Sequence, residues 1–155
     1  MANVKLIYFG KSKFPFIEEG VQTFAKRIKH YTKFEIQQIT PKYKGNDAKS
    51  IMKVEEDALL KVVSTKDYLV LLDEGGKQYG SVKFANQLTK WRMQSPSIVF
   101  VIGGAYGFSP NIYAKCQSKL SLSEMTYSHQ LIKVIFLEQL YRAFTIINGE
   151  SYHNP

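Results

Sequence analysis

The chain has 155 residues, of which 45% are hydrophobic and 22% are charged. This composition excludes disordered and collagen-like chains and indicates one globular domain over residues 1–155. With Cys116 as its single cysteine the chain has no intrachain disulfide, which argues against a disulfide-stabilised secreted protein. The net charge of +8 favours a polyanionic partner such as nucleic acid, although an ordinary basic protein would show the same balance. No apolar run is long enough to span a bilayer and the N-terminus does not resemble a signal peptide, so we expect a soluble, cytoplasmic protein without membrane contact.

Apolar residues follow strand-like and helix-like spacing in turn along the chain. Two uninterrupted apolar runs, 68–72 and 98–102, are typical of parallel strands buried on both faces. Ser81 and Ser109 are the predicted N-caps of two helices. The apolar residues that define the second helix are Ile51, Val54, Ala58 and Val62. Strands are predicted at 4–9, 34–39, 68–72, 98–102 and 120–122, and helices at 17–28, 51–62, 81–91, from 110 onward and at 129–147.

Strands that alternate with helices predict an α/β fold with a mainly parallel sheet flanked by helices. The last predicted helix is apolar nearly all round, which is typical of a helix buried on most sides. A domain of this size seldom covers such a helix alone, so we expect a homodimer in which a partner subunit covers part of it. Glu138 and Arg142 lie one turn apart on this helix, either as a weak surface ion pair or as a charge pair at an interface cleft.

Three predicted strands end in loops of unusual composition, at 72–77, 103–107 and 122–127. Ligands of open α/β sheets bind beyond the carboxyl ends of the strands, so these loops form the candidate binding site. Their glycines either bring main-chain groups close to a small cofactor or only make turns. A dinucleotide site is a weaker alternative, because the glycines at 103–107 lack the GxGxxG spacing. The histidines are scattered and no zinc-type spacing occurs, so no metal is expected.

Four segments carry a family resemblance: VFVIGGAYG at 99–107, LSLSEMTYSH at 120–129, LEQLYRA at 137–143 and Tyr152-His153 near the end. In this order and at this spacing they resemble the ribosomal RNA large subunit methyltransferase H family, small members of the SPOUT class. The resemblance covers the whole chain and implies a SPOUT-type fold with a C-terminal trefoil knot, and a homodimer with its active site at the subunit interface. It also implies S-adenosylmethionine as the methyl donor and methylation of N3 of a pseudouridine in the 23S rRNA of the assembled ribosome.

The resemblance also assigns roles to individual residues. Glu138 and His153 are its candidate general bases, Arg142 would stabilise negative charge or hold a phosphate, and Tyr152 would stack on the target base. His129 is implied to face the RNA with these four; the preceding residue is serine where relatives carry proline, and serine, a good N-cap, should still start the helix there. The residues implied to contact the cofactor are Leu72, Gly103, Gly104, Leu122, Ser123, Glu124, Met125, Thr126 and Tyr127.

Two other functions are open on the sequence alone. A non-catalytic RNA-binding module on the same fold would keep the basic residues without a cofactor pocket. A SPOUT methyltransferase acting on tRNA is disfavoured, because no appended RNA-binding domain is recognisable. Whichever RNA is bound, we expect the contacts with its phosphates to come from Lys11, Lys13, Lys26 and Arg27.

Overall fold

Strands and helices alternate strictly along the chain in a computed structural model that describes residues 2–155. The strands are β1 (Asn3–Phe9), β2 (Phe34–Ile39), β3 (Tyr68–Gln78), β4 (Ser97–Ile102) and β5 (Ser118–Ser121). The helices are α1 (Pro15–Ile28), α2 (Ala48–Leu60), α3 (Ser81–Gln94), α4 (Pro110–Lys115) and α5 (Leu131–Ile147). All strand pairs are parallel, in the order β2-β1-β4-β3-β5. The predicted α/β fold with a parallel sheet flanked by helices is therefore confirmed.

The two faces of the sheet carry separate apolar cores. The larger core lies under α1, α3 and α5 and includes Trp91, and the smaller one lies under α2 and α4 and includes Leu59 and Ile112. Successive side chains of a strand point to opposite faces, so Phe100 of β4 packs into the larger core and Val101 into the smaller one. The central strands are therefore buried on both sides, as their uninterrupted apolar sequence predicted.

The apolar helix α5 lies between α1 and α3, which cover its flanks within one chain. Phe136, Leu140 and Phe144 are fully buried there, and the large apolar side chains of α5 that stay exposed are Leu131 and Ile147. Ile132, Val134 and Ile135 are only half-buried, so α1 and α3 cover much of this helix but leave apolar surface that a partner subunit could cover. The homodimer stays a prediction.

Three helix starts test the predicted caps. Ser109 caps α4, because its Oγ accepts a hydrogen bond from the Ile112 N–H at 3.4 Å. The prediction for Ser81 is wrong: Gly80 is the N-cap of α3, and the Ser81 hydroxyl instead donates to Gln139 of α5 at 2.9 Å. The last helix begins at Leu131 rather than 129, and the Ser128 hydroxyl accepts from its first N–H at 3.0 Å.

The edge of the sheet at β3 and β5 departs from its predicted form. β3 does not end at Leu72 but continues to Gln78, with a register shift against β5 between Leu72 and Lys77. A Cβ on Gly76 would lie 2.7 Å from the backbone of Lys119, so only glycine allows the two strands to pass at this point. The predicted loop at 72–77 is thus a bulged continuation of β3, and Leu72 is the last residue before the bulge.

Within residues 2–155, no helix is long and apolar enough to cross a bilayer. In the same described range, no group of three or more His, Cys, Asp or Glu side chains is arranged to bind a metal. The C-terminal trefoil knot that the resemblance implies stays a prediction.

Candidate cofactor pocket and charged cluster

A pocket of about 480 Å³ lies beyond the carboxyl end of β4 and beside the bulged part of β3, and its volume suits a small molecule or cofactor. Three stretches of chain form its wall: the bulged part of β3, the segment after β4, and the segment between β5 and α5. The lining residues are Leu72, Asp73, Glu74, Ile102, Gly103, Gly104, Ala105, Gly107, Phe108, Leu120, Leu122, Ser123, Met125, Thr126, Tyr127, His129 and Ile132.

The pocket brings together the residues that the sequence resemblance assigns to the cofactor, with one exception. Glu124 is exposed and is not part of the wall. Sequence reasoning missed the apolar side of the wall, which Ile102, Phe108 and Ile132 supply. Ile102 ends an apolar strand and Ile132 lies on an apolar helix, so the sequence favours core positions for both. The cofactor roles themselves stay predictions.

The wall combines apolar surface, main chain and negative charge. A Cβ on Gly103 would lie 3.0 Å from the Phe108 ring, so this glycine lets the ring pack directly on the backbone. Asp73 and Glu74 place two carboxylates in the same wall. Asp73 accepts a hydrogen bond from the Tyr113 hydroxyl at 2.9 Å, and burial together with this carboxylate raises the pKa of Tyr113 to about 12. Such a pocket suits a ligand with a flat apolar ring and a positive charge.

His129 is a half-buried part of this wall. Its Nε2 lies 2.7 Å from the carbonyl oxygen of Phe9, which can only accept, so Nε2 carries the proton. Burial and the positive charge of Lys133 lower the pKa of His129, against the opposing effect of the Phe9 and Gly103 backbone groups. The neutral ring therefore links the end of β1 to the pocket instead of pointing freely into solvent.

Glu138, Arg142, Tyr152 and His153 form a second group, here called the charged cluster. Arg142 pairs with Glu138, with Nη2 to Oε2 at 2.9 Å and Nε to Oε1 at 3.4 Å, and both side chains are 23% exposed. The Tyr152 hydroxyl donates to the same carboxylate at 2.9 Å, and its ring lies 4.6 Å from the guanidinium carbon of Arg142. Burial and Glu138 raise the pKa of Tyr152. Since Arg142 can only donate, Nδ1 of His153 accepts from its Nη1 at 3.2 Å.

The structure therefore divides the predicted RNA-facing set in two. His129 lines the pocket, whereas none of the four residues of the charged cluster does. Glu138 lies six residues beyond Ile132, the last wall residue on α5, which corresponds to about 9 Å along a helix axis. The cluster also holds more than the i,i+4 pair visible in the sequence, because the C-terminal segment folds back onto α5.

Comparisons with known proteins agree with this architecture. The family described as "Predicted SPOUT methyltransferase" matches residues 2–153. Proteins named ribosomal RNA large subunit methyltransferase H are similar to the chain over nearly their full length. That of Flavobacterium johnsoniae is 45% identical over 98% of this chain and 99% of its own. That of Parabacteroides distasonis is 43% identical, and that of Christiangramia forsetii 42%, each over 97% of this chain and 98% of its own.

A solved structure supports the fold independently. The probable methylase family protein from Haemophilus influenzae Rd KW20 superposes with a TM-score of 0.51 at 12% identity, over 99% of this chain and 71% of that chain. The parallel sheet, with a pocket at its carboxyl edge, defines an α/β protein, and the family match identifies the chain as a methyltransferase. The chain belongs to the SPOUT methyltransferase family.

Proposed function

We propose that this protein uses S-adenosylmethionine to methylate N3 of a pseudouridine in 23S rRNA, and that its substrate is the assembled ribosome. The pocket at the strand ends carries this proposal, because its wall has the chemistry that such a cofactor requires. The names of the relatives and the net charge of +8 support an RNA substrate. Action on ribosomes would place the protein in the cytoplasm.

Different parts of the pocket wall match different groups of S-adenosylmethionine. Ile102, Phe108 and Leu122 offer apolar surface for an adenine ring, and Asp73 and Glu74 offer negative charge for the cationic parts of the molecule. When bound, this cofactor supplies an electrophilic sulfonium methyl group. The protein then has to align a nucleophile with that group, which is catalysis by positioning.

The charged cluster supplies the remaining chemistry that N3 methylation needs. The N3 proton of a pseudouridine must leave, and Glu138 and His153 are the candidate acceptors. Each already makes a hydrogen bond with Arg142, so substrate has to displace such a bond before either can accept a proton. Arg142 is then free to stabilise negative charge on a carbonyl oxygen of the base or to bind a phosphate, and the ring of Tyr152 can stack on the base.

We infer that the working unit is a homodimer with a shared site. Within one chain the charged cluster is not part of the pocket wall, so one chain alone does not bring Glu138 or His153, the proposed proton acceptors, to its own pocket. A second copy related by a two-fold axis can place its cluster at the pocket of the first. The separation of the two groups supports this assembly better than the composition of α5 does.

A complementation experiment tests the site and the assembly together. Gly103→Val should disable the pocket, and Arg142→Ala should disable the cluster. We expect each homodimer to be inactive, whereas co-expressed and purified heterodimers should recover about half of the wild-type methyl transfer to ribosomes, because one of their two sites is intact. Inactive heterodimers of folded subunits would show that pocket and cluster act within one chain.

The same preparations separate the rival functions. Wild-type protein that binds no S-adenosylmethionine in calorimetry would be an RNA-binding module. Faster labelling of tRNA than of ribosomes would identify a tRNA methyltransferase. Mass spectrometry of the modified nucleotide tests the N3 assignment.

A further inference from the structure

Helix α2 buries two adjacent carboxylates. Glu55 is 5% exposed and Glu56 is 7% exposed, whereas Ile51 and Val54, which were expected to define the apolar face of this helix, are only half-buried. Burial of a carboxylate is costly unless it is paired or hydrogen-bonded. Burial of two acids more deeply than Ile51 and Val54 therefore points to a specific task for the acids.

Glu56 binds the C-terminal end of segment 103–109, which follows β4. Its Oε1 accepts a hydrogen bond from the Ser109 hydroxyl at 2.5 Å, and its Oε2 pairs with Lys53 at 2.8 Å. Ser109 is the N-cap of α4, where this segment ends. The hydrogen bonds from Lys53 and Ser109 lower the pKa of Glu56, so the carboxylate is ionised and fully engaged.

Glu55 lies against the N-terminal end of segment 103–109, at Gly104. A Cβ on Gly104 would lie 2.5 Å from each of its carboxylate oxygens, so a larger residue at position 104 would have to displace the carboxylate. Gly104 does not have a positive φ, so the close approach of Glu55, and not backbone conformation, is what favours glycine at this position. Tyr43 anchors the carboxylate by donating to Oε2 at 2.7 Å, and within residues 2–155 no group donates a hydrogen bond to Oε1.

We propose that Glu55 is a positioning residue for the cofactor pocket: with Glu56 it holds segment 103–109 at both ends, from the side opposite the ligand. Gly103 and Gly104 of this segment line the pocket, while Glu55 does not. Glu55 therefore acts through Gly104 and not by contact with the ligand. The inference rests on the proposed function, because the ligand used to test it is S-adenosylmethionine.

A double-mutant cycle between the two residues tests the proposal. We expect Glu55→Ala to weaken binding of S-adenosylmethionine about tenfold, comparable with the loss of a hydrogen-bonded charged group. Gly104→Ala alone should weaken it similarly, because its methyl group displaces the carboxylate. In the Glu55→Ala background, however, Gly104→Ala should add no further loss, because the carboxylate that it would strike is gone. Calorimetry gives the dissociation constants and thermal unfolding checks the fold.

Two further variants keep the test decisive if Glu55→Ala does not fold. Tyr43→Phe removes only the hydroxyl that anchors Glu55, from a side chain that is 46% exposed, and should weaken cofactor binding about threefold with an unchanged melting temperature. Asp57→Ala is the matched control, since Asp57 is an exposed acid of the same helix, and it should bind the cofactor as the wild type does.

Several results would overturn the inference. Equal losses from Gly104→Ala in both backgrounds would mean that Gly104 acts on the ligand directly. Glu55 would have only a structural role if Glu55→Ala lowered the melting temperature without changing the cofactor affinity. The same conclusion would follow if Tyr43→Phe left the cofactor affinity unchanged. Failure of the wild type to bind S-adenosylmethionine would overturn the proposed function itself. The variant results above concern a wild type that does bind it, so they would overturn only the role of Glu55.

Discussion

The pocket and the charged cluster are built on opposite principles. The pocket is a concave site walled by apolar side chains and glycines, with its polar groups supplied by the bulged part of β3 and the segment between β5 and α5. The charged cluster is a half-buried set of four polar side chains from the middle of α5 and the C-terminal segment, and its members bind one another. The pocket wall comes from one chain and includes no residue of the charged cluster, whereas the cluster contains the proposed proton acceptors Glu138 and His153.

This difference indicates how the chemistry is divided. Binding needs shape, which a rigid sheet edge provides, and proton transfer needs polar groups that can exchange partners when substrate arrives. A pocket variant should therefore change cofactor affinity, and a cluster variant should change the rate of methyl transfer. The predictions below test that separation, beginning with the largest expected effect.

Arg142→Ala should lower single-turnover methylation of ribosomes about 100- to 1,000-fold, the range found when one transition-state donor is removed. Its affinity for S-adenosylmethionine should equal that of the wild type, because Arg142 is not part of the pocket wall. Arg142→Lys should also be defective if two parallel hydrogen bonds are needed, since an ammonium group cannot make them. Near wild-type turnover by Arg142→Ala would make its pair with Glu138 a surface ion pair only.

Gly103→Val should weaken cofactor binding tenfold or more, because the new side chain meets the Phe108 ring and overpacking costs about 1–3 kcal/mol. Gly80→Ala is the control, since a Cβ there has nothing within 4 Å, and its calorimetric binding curve should match that of the wild type. If Gly103→Val binds the cofactor normally, the pocket is not the cofactor site.

Lys11 and Lys13 follow β1 at the same sheet edge as the pocket and are exposed. Replacing both with glutamine should reduce the slope of log affinity for ribosomes against log salt by about 1.5, because two phosphate contacts are lost. Lys61 and Lys66 precede β3, at the opposite edge, so the same change there should leave the slope unaltered. Equal slopes for both pairs would show that RNA does not approach the pocket edge.

The adjacent glutamates of α2 should show opposite pH dependence in unfolding experiments. Burial raises the pKa of Glu55, so its contribution to stability is present at low pH and is lost as the pH rises through the folded-state value. The pKa of Glu56 is lowered, so its contribution is present at neutral pH and is lost as the pH falls. As the pH rises above the ordinary glutamate value, Glu55→Gln should gain stability relative to the wild type. Glu56→Gln should lose stability relative to the wild type as the pH rises toward that value from below, and should show a constant difference above it. Parallel curves for the two variants would contradict this assignment.

The sheet edge that carries the pocket was predictable because its signals are local. Uninterrupted apolar runs predict buried parallel strands, and the segments that follow them must lie at the carboxyl edge of the sheet. The sequence therefore predicts that Leu72, Gly103 and Leu122 lie near one another, and all three line the pocket. The pairing of Glu138 with Arg142 was equally local, because residues four apart on a helix are neighbours.

By itself, then, the sequence determined the order of the elements, the parallel sheet, the position of the pocket and the family motifs, since each depends on spacing along the chain. Only the tertiary structure decided that α1 and α3 cover much of α5, that His129 belongs to the pocket, and that Glu55 rather than Ile51 or Val54 faces the interior. These outcomes depend on what lies across a packed interface. A buried carboxylate is set by distant partners such as Tyr43, Ser109 and Gly104, whose proximity no periodicity in the sequence encodes.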